Sequence, residues 1–337
     1  MTEVAAGLVS TIIPVFNRSG MVAAAAQSVL EQTYRPIEII LVDDGSTDGT
    51  WAEVNRLAAE HPETIRAAHR ENGGPGLARE TGRLLARGEF IQYLDSDDFL
   101  LPRKFEIQVA ALRAHPECGI AYGPSRLVAP DGTVMKETSK WTGRKFEHLF
   151  PALLVDRWWH THTPLYRRAL CDEIGPWPPQ RPEDWDYDAR AGAAGTRLVF
   201  CEEAASCHRQ HAGPRVSQSF FERYLPQEAW FLPRLYACAV QAGVPADAPE
   251  MRHFARWSFA LARHVGALGM ADAAEELMVL AARAGGRRTA GMRAVGGCAR
   301  VLGWRPTAHL CRWMERVFLK RPGMETLPPS WADGQSA

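Results

Sequence analysis

Through its first 125 residues the chain alternates two kinds of segment, and this alternation constrains the fold more than any other feature. Leu8–Phe16, Ile37–Asp43, Ile65–His69, Phe90–Leu94 and Ile120–Tyr122 are short, β-branched or aromatic, and nearly all apolar, as strands buried on both faces should be. Between them, apolar residues recur at helical spacing: Val22, Ala26, Val29 and Leu30; Trp51, Val54, Leu57 and Ala58; Leu77, Leu84 and Leu85; Phe105, Val109 and Leu112. A βαβαβ order of this kind predicts an α/β fold with a mostly parallel sheet flanked by helices. Ligands of such sheets bind beyond the carboxyl ends of the strands. That rule singles out three loops, Pro14–Asn17, Asp43–Asp48 and Asp95–Asp98.

The length of 337 residues allows about two domains. We expect the first to span 1–219, with a ligand-binding half at 1–125 and a second half at 126–219. Within the latter, Pro130-Asp131-Gly132-Thr133 is expected to be a hairpin tip between Leu127–Ala129 and Val134–Lys136. From 220 to 337 the pattern is helical. The seven cysteines are scattered, without any Cys-x-x-Cys pair, which argues against a disulfide framework or a zinc site and for a reducing compartment. No stretch has the character of a signal peptide or a membrane span. The expectation is a cytoplasmic protein.

Strand two runs into Asp43-Asp44-Gly45-Ser46-Thr47-Asp48, and strand four into Asp95-Ser96-Asp97-Asp98. Carboxylates this close repel and raise each other's pKa unless a cation joins them. An all-oxygen donor set points to Mg²⁺ or Mn²⁺, ions that usually complete their shell with substrate phosphates and water. A diphosphate-bearing substrate follows as an expectation. The other reading, helix N-caps, suits Asp98 better than Asp95, which lies at the strand end.

Four segments resemble, in order and spacing, the family 2 glycosyltransferases of the GT-A fold: Ser10–Asn17, Val42–Asp48, Asn72-Gly73-Gly74-Pro75-Gly76-Leu77-Ala78-Arg79, and Gly88–Asp98. The resemblance covers roughly residues 8 to 215. It implies an inverting, metal-dependent transferase with a nucleotide-sugar donor, usually a UDP-sugar, and no nucleic-acid partner. Its site would place Pro14, Val15, Asn17 and Asp44 by the nucleotide, with Pro14 and Asp44 near the base. Asp95 would lie near the ribose, and Asp97 on the metal bridging the diphosphate. Arg79 matches a donor-side arginine, although the family's following asparagine is replaced by Glu80. His211, in a stretch after the last sheet strand, either approaches the metal or diphosphate on loop closure or is a surface histidine.

The second informative stretch is Pro182-Glu183-Asp184-Trp185-Asp186-Tyr187-Asp188. Inverting transfer needs a carboxylate to take the acceptor hydroxyl's proton. The resemblance assigns that role to Asp184, with Glu183 orienting the acceptor. Acids at a helix N-terminus are the competing reading, strongest for Asp186 and Asp188. Trp158 and Trp159 are candidate acceptor contacts, with packing as the alternative. The acceptor would be a saccharide, a lipid-linked glycan or a small molecule, extended by single additions. The rival functions are a catalytically silent nucleotide-sugar-binding regulator of the same fold and, further off, a nucleotidyltransferase, for which no basic Gly-rich phosphate loop is visible.

Net charge is zero, yet Gly285–Arg321 carries nine Arg and Lys against one Glu, a net of +8. Leu310, Trp313, Met314, Val317 and Phe318 fall on one helical face, and Arg312, Arg316 and Lys320 recur on another. This is the pattern of an interfacial anchor at an anionic membrane. It is also that of a helix packing its apolar face on the protein.

Overall fold

The computed structural model describes residues 4–210 and 225–314. The chain divides into two compact units, Met1–Leu149 with Arg157–Gly213, and Phe150–Asp156 with Pro214–Ala337.

The first unit begins with β1 (Ala5–Val15), α1 (Val22–Leu30), β2 (Ile37–Asp44), α2 (Thr50–Glu60), β3 (Ile65–Arg70), α3 (Pro75–Leu85) and β4 (Gly88–Tyr93). It continues through β5 (Phe99–Leu100), α4 (Lys104–Ala114), β6 (Cys118–Tyr122), β7 (Ser125–Val128), β8 (Val134–Lys136) and β9 (Leu165–Arg167). It closes with α5 (Arg168–Ile174), α6 (Glu183–Ala193), β10 (Arg197–Phe200) and β11 (Ser206–Arg209). Seven strands form the main sheet in the order β10-β6-β9-β4-β1-β2-β3. All neighbours run parallel except around β9, which is antiparallel to both β4 and β6. A second sheet has the order β5-β11-β7-β8. Its β7–β8 pair is the expected hairpin, antiparallel with Val128 opposite Val134.

The apolar runs become strands because each can bury both faces. Every residue of β2 is buried, and Val9, Ile13, Val15, Ile39 and Leu41 pack with Val22, Val29 and Val54 of the covering helices. Phe105, Val109 and Leu112 of α4 join the same core, as their spacing predicts. In α3, however, the buried residues are Gly76, Ala78, Arg79 and Gly82, while Leu84 is 64% exposed. The reason is proximity. A Cβ at Gly82 would lie 2.3 Å from Ile12 Cγ2, so α3 meets the sheet with its small residues and its leucines are displaced to the rim.

Register then brings the loops together. Val15 sits opposite Asp43, Asp44 opposite Arg70, and Ile12 opposite Tyr93. The chain segments following β1, β2, β3 and β4 therefore leave the sheet along one edge.

The second unit contains α7 (Leu225–Gln241), α8 (Pro249–Ala267), α9 (Ala271–Ala284), α10 (Ala290–Leu302) and α11 (Trp304–Met314). Phe231, Leu232, Leu235, Phe254, Leu261, Val265, Leu277 and Met278 are buried in it. Among the described residues no helix is long and apolar enough to cross a membrane.

Candidate active site

Two acidic segments meet at Arg79. This arginine projects from α3 and is only 4% exposed. One guanidinium nitrogen donates to Asp95 Oδ1 at 2.7 Å and another to Glu183 Oε1 at 2.8 Å. Its carbon lies 4.8 Å from the centre of the Trp177 ring. Burial opposes its charge, but Asp95, Glu183 and Asp184 outweigh that and raise its pKa. Arg79 thus braces the end of β4 against the first turn of α6, a structural cross-tie where sequence suggested a donor contact. The close approach depends on Gly76, three residues earlier, where a Cβ would stand 2.1 Å from the Pro178 carbonyl oxygen and 3.2 Å from Glu183 Cβ.

Asp44 is likewise a tie. Its carboxylate accepts from the backbone N–H of Gly74 at 2.7 Å and of Gly73 at 3.1 Å, and from the Arg70 guanidinium. A carboxylate at the start of α3 also meets the positive end of the helix dipole. Gly45 beside it has φ +72°, and a Cβ there would lie 2.7 Å from the Asn72 nitrogen, so the two strand-end loops touch backbone to backbone. Asn17, in the left-handed region at φ 51°, accepts from Thr47 N–H at 2.9 Å and donates its own N–H to Ser46 Oγ at 3.0 Å. Pro14 and Val15, the last residues of β1, are buried.

Asp184 occupies the first turn of α6 with its side chain 29% exposed. It pairs through Oδ2 with Arg157 at 2.8 Å and accepts from Trp185 N–H at 2.8 Å. Burial pushes its carboxyl up, but Arg157, then Arg79 and Lys140, outweigh that and leave it below the ordinary aspartate value. It is therefore ionised at neutral pH. Arg157 is anchored in turn by Asp188, one helical turn further on, at 2.7 Å. Trp159 Nε1 and the Tyr166 hydroxyl also donate to Asp188, each at 2.7 Å. Asp186 pairs with Arg190 at 2.9 Å within the helix. Asp186 and Asp188 are thus structural acids, the reading the helix terminus suggested for them.

The pair Trp158 and Trp159 corrects the expectation of acceptor contact. Both are fully buried, 4.5 Å apart and packed on Tyr122, so neither ring offers a face to a sugar. Their large apolar surface fills the space beside β6, the packing alternative.

Asp98 holds a cluster that the sequence did not disclose. It is 3% exposed, lies 2.7 Å from His162 Nδ1 and 3.1 Å from His208 Nδ1, and accepts from Arg209 N–H at 2.9 Å. Burial alone would raise its pKa; His162 and then His208 outweigh it and hold the carboxyl well below the usual range. His160 stacks on His208 at 4.4 Å, its own pKa pushed down by burial and by the neighbouring imidazoles. The Asp95–Asp98 turn is thereby fastened to β11. The partners of Arg157, Asp188 and these histidines are remote in sequence, so only their residue types were visible beforehand.

Asp97 is half-buried between these two ties. Asp95 is engaged by Arg79 and Asp98 by imidazoles, and among the described residues no group of three or more His, Cys, Asp or Glu is arranged to hold a metal ion. A donor set centred on Asp97 and completed by ligand oxygens still fits a hard cation that takes one or two protein carboxylates. His211 lies outside the described residues.

Residues 10–175 match the sequence model of Glycosyl transferase family 2. Over this segment the chain is a family 2 glycosyltransferase domain, and its fold is the GT-A fold. It is similar to the chondroitin synthase of Escherichia coli, with 33% identity over 147 residues, 44% of this chain and 21% of that protein. The match thus spans about a fifth of that relative's length. Among solved structures it resembles Staphylococcus aureus TarS 1–349 in complex with UDP-GlcNAc, at TM-score 0.64 and 18% identity over 90% of this chain and 91% of that one. It also resembles the mannosyltransferase PcManGT from Pyrobaculum calidifontis in complex with GDP-Man and Mn²⁺, at TM-score 0.51 and 17% identity over 93% and 88%.

Proposed function

We propose that the chain is a metal-dependent inverting glycosyltransferase that moves a sugar, from a UDP-sugar by preference, to a hydroxyl of a saccharide, lipid-linked or small-molecule acceptor, one residue at a time. The observation that carries this reading is the Arg79 brace. It holds Asp95, at the strand edge where the nucleotide is expected, in fixed relation to Glu183 and so to its neighbour Asp184. A donor-side carboxylate and a candidate base are thereby locked together across the sheet edge.

In this mechanism the edge formed by Pro14, Val15, Asn17 and Asp44 receives the nucleotide, and Asp95 the ribose. Asp97 would hold Mg²⁺ or Mn²⁺ against the diphosphate, where the cation supplies positive charge for the leaving group; the Mn²⁺ named in the PcManGT complex supports a cation in this fold. Asp184, kept ionised by Arg157, takes the proton of the attacking hydroxyl as the new bond to C1 forms on the face opposite the departing nucleoside diphosphate. Glu183 is committed to Arg79, so its part is to position the base.

Asp184→Asn is expected to lower transfer by about 10²–10⁴-fold and to leave the calorimetric affinity for the nucleotide sugar unchanged. Loss of donor affinity together with rate would place Asp184 in the donor site and refute its role as base.

A further inference from the structure

We infer that the helical unit docks on an anionic bilayer surface through α10 and α11. This inference is independent of the transfer reaction. From Gly285 to Met314 the chain has six arginines and no Asp or Glu, and Arg287, Arg288, Arg293, Arg300 and Arg305 are all exposed. The residues with which α11 packs are Trp304, Thr307 and Ala308, a stripe at i, i+3 and i+4 that is buried to 9%, 1% and 0% exposure. That stripe is not the apolar face defined by Leu310, Trp313 and Met314, which stay 43%, 55% and 47% exposed. At the adjoining end of α10, Val301 is 83% and Leu302 55% exposed. Leu310, Trp313 and Met314, the described part of the expected apolar face, thus leave open apolar surface that full internal packing would have covered.

Five large apolar side chains within fourteen residues, on either side of the turn at Gly303 and set among exposed arginines, suit one kind of surface. Aliphatic and indole groups enter the boundary between headgroups and acyl chains while guanidinium groups meet the lipid phosphates. A second copy of the chain fits less well. In a twofold contact the same patch faces itself, and the five exposed guanidinium groups would meet five others with no acid in the segment to pair them. The remaining residues of the expected amphipathic face, Val317 and Phe318, and the basic Arg316 and Lys320, lie outside the described residues.

The test is co-sedimentation of the full chain with vesicles of phosphatidylcholine alone or mixed with phosphatidylglycerol. Binding is expected to the anionic vesicles only and to weaken as salt is raised, since screening shortens the reach of exposed charges. Each basic residue near an anionic leaflet is worth roughly a fivefold factor, so Arg300→Gln with Arg305→Gln should reduce partitioning by about 30-fold. Trp313→Ser should weaken binding without altering its dependence on salt. All three positions are exposed, so an unchanged thermal midpoint is expected and checks that the variants fold. Equal recovery in the supernatant with and without anionic vesicles overturns the inference, as does binding that the double arginine variant retains in full. A concentration-dependent dimer abolished by Trp313→Ser, with no vesicle binding, overturns it in favour of self-association.

Discussion

Arg79 is the side chain on which the geometry of the candidate site leans, and its removal has a calculable consequence. In Arg79→Met the Glu183 carboxylate, 6% exposed, stays buried and loses the guanidinium 2.8 Å away. Stripping one partner from a buried pair typically destabilises by about 3–5 kcal/mol, because the other charge stays desolvated and unpaired. The contact with Asp95 adds little, since that side chain is 32% exposed and water screens it. A loss of this size should lower the thermal midpoint by roughly 10 °C for a unit of this length. The decisive measurement is a double-mutant cycle by urea denaturation. If an orphaned charge is the cause, adding Glu183→Gln to Arg79→Met should recover about 1.5 kcal/mol or more, a coupling expected only of residues in contact. A cost below about 1 kcal/mol for Arg79→Met, or strictly additive single variants, would show that the brace carries no such load and would refute the reasoning.

Three other outcomes are expected. Lys104 is fully buried, donates to Gln108 Oε1 at 2.6 Å and to the Thr163 carbonyl at 2.8 Å, and is pushed down by burial to about 7. Its unfolded form binds the proton up to a higher pH, so its contribution to stability is largest above the unfolded value and falls away toward pH 7. Lys104→Met should accordingly be stabilised relative to wild type near pH 7, by at most about 5 kcal/mol, with the advantage shrinking toward pH 10; denaturation curves at several pH values that run parallel would contradict this. Gly76→Ala forces a methyl against the Pro178 carbonyl, and should cost about 1–3 kcal/mol in chemical denaturation; an unaffected midpoint would mean that α3 and the 178–183 segment separate freely. Asp97→Asn should remove the stimulation of nucleoside-diphosphate release by Mn²⁺, and an unchanged metal titration would dismiss Asp97 as the metal ligand.

The parallel core strands and the acidic turns that end them were legible in the sequence because both are local. A short, β-branched, largely apolar run such as Ile37–Val42 reads as a strand buried on both faces, and an acid directly after it falls at that strand's end. The hairpin at Pro130–Thr133 rests on the same kind of short-range signal. What each acid touches was decided only by tertiary structure. Arg79 and Glu183 are 104 residues apart, Asp98 and His208 are 110, and no periodicity records which of many charged residues will meet once the sheet register is set. The same holds for α3, whose leucines promised a buried face and whose glycines supplied it, because the distance from helix to sheet is a property of the assembled layers. Trp158 and Trp159 carry one chemistry that suits a sugar ring or a core equally, and burial alone chose between them. Composition and spacing bring the reactive groups to one edge; long-range packing determines which of them remain open to a ligand and which become its scaffold.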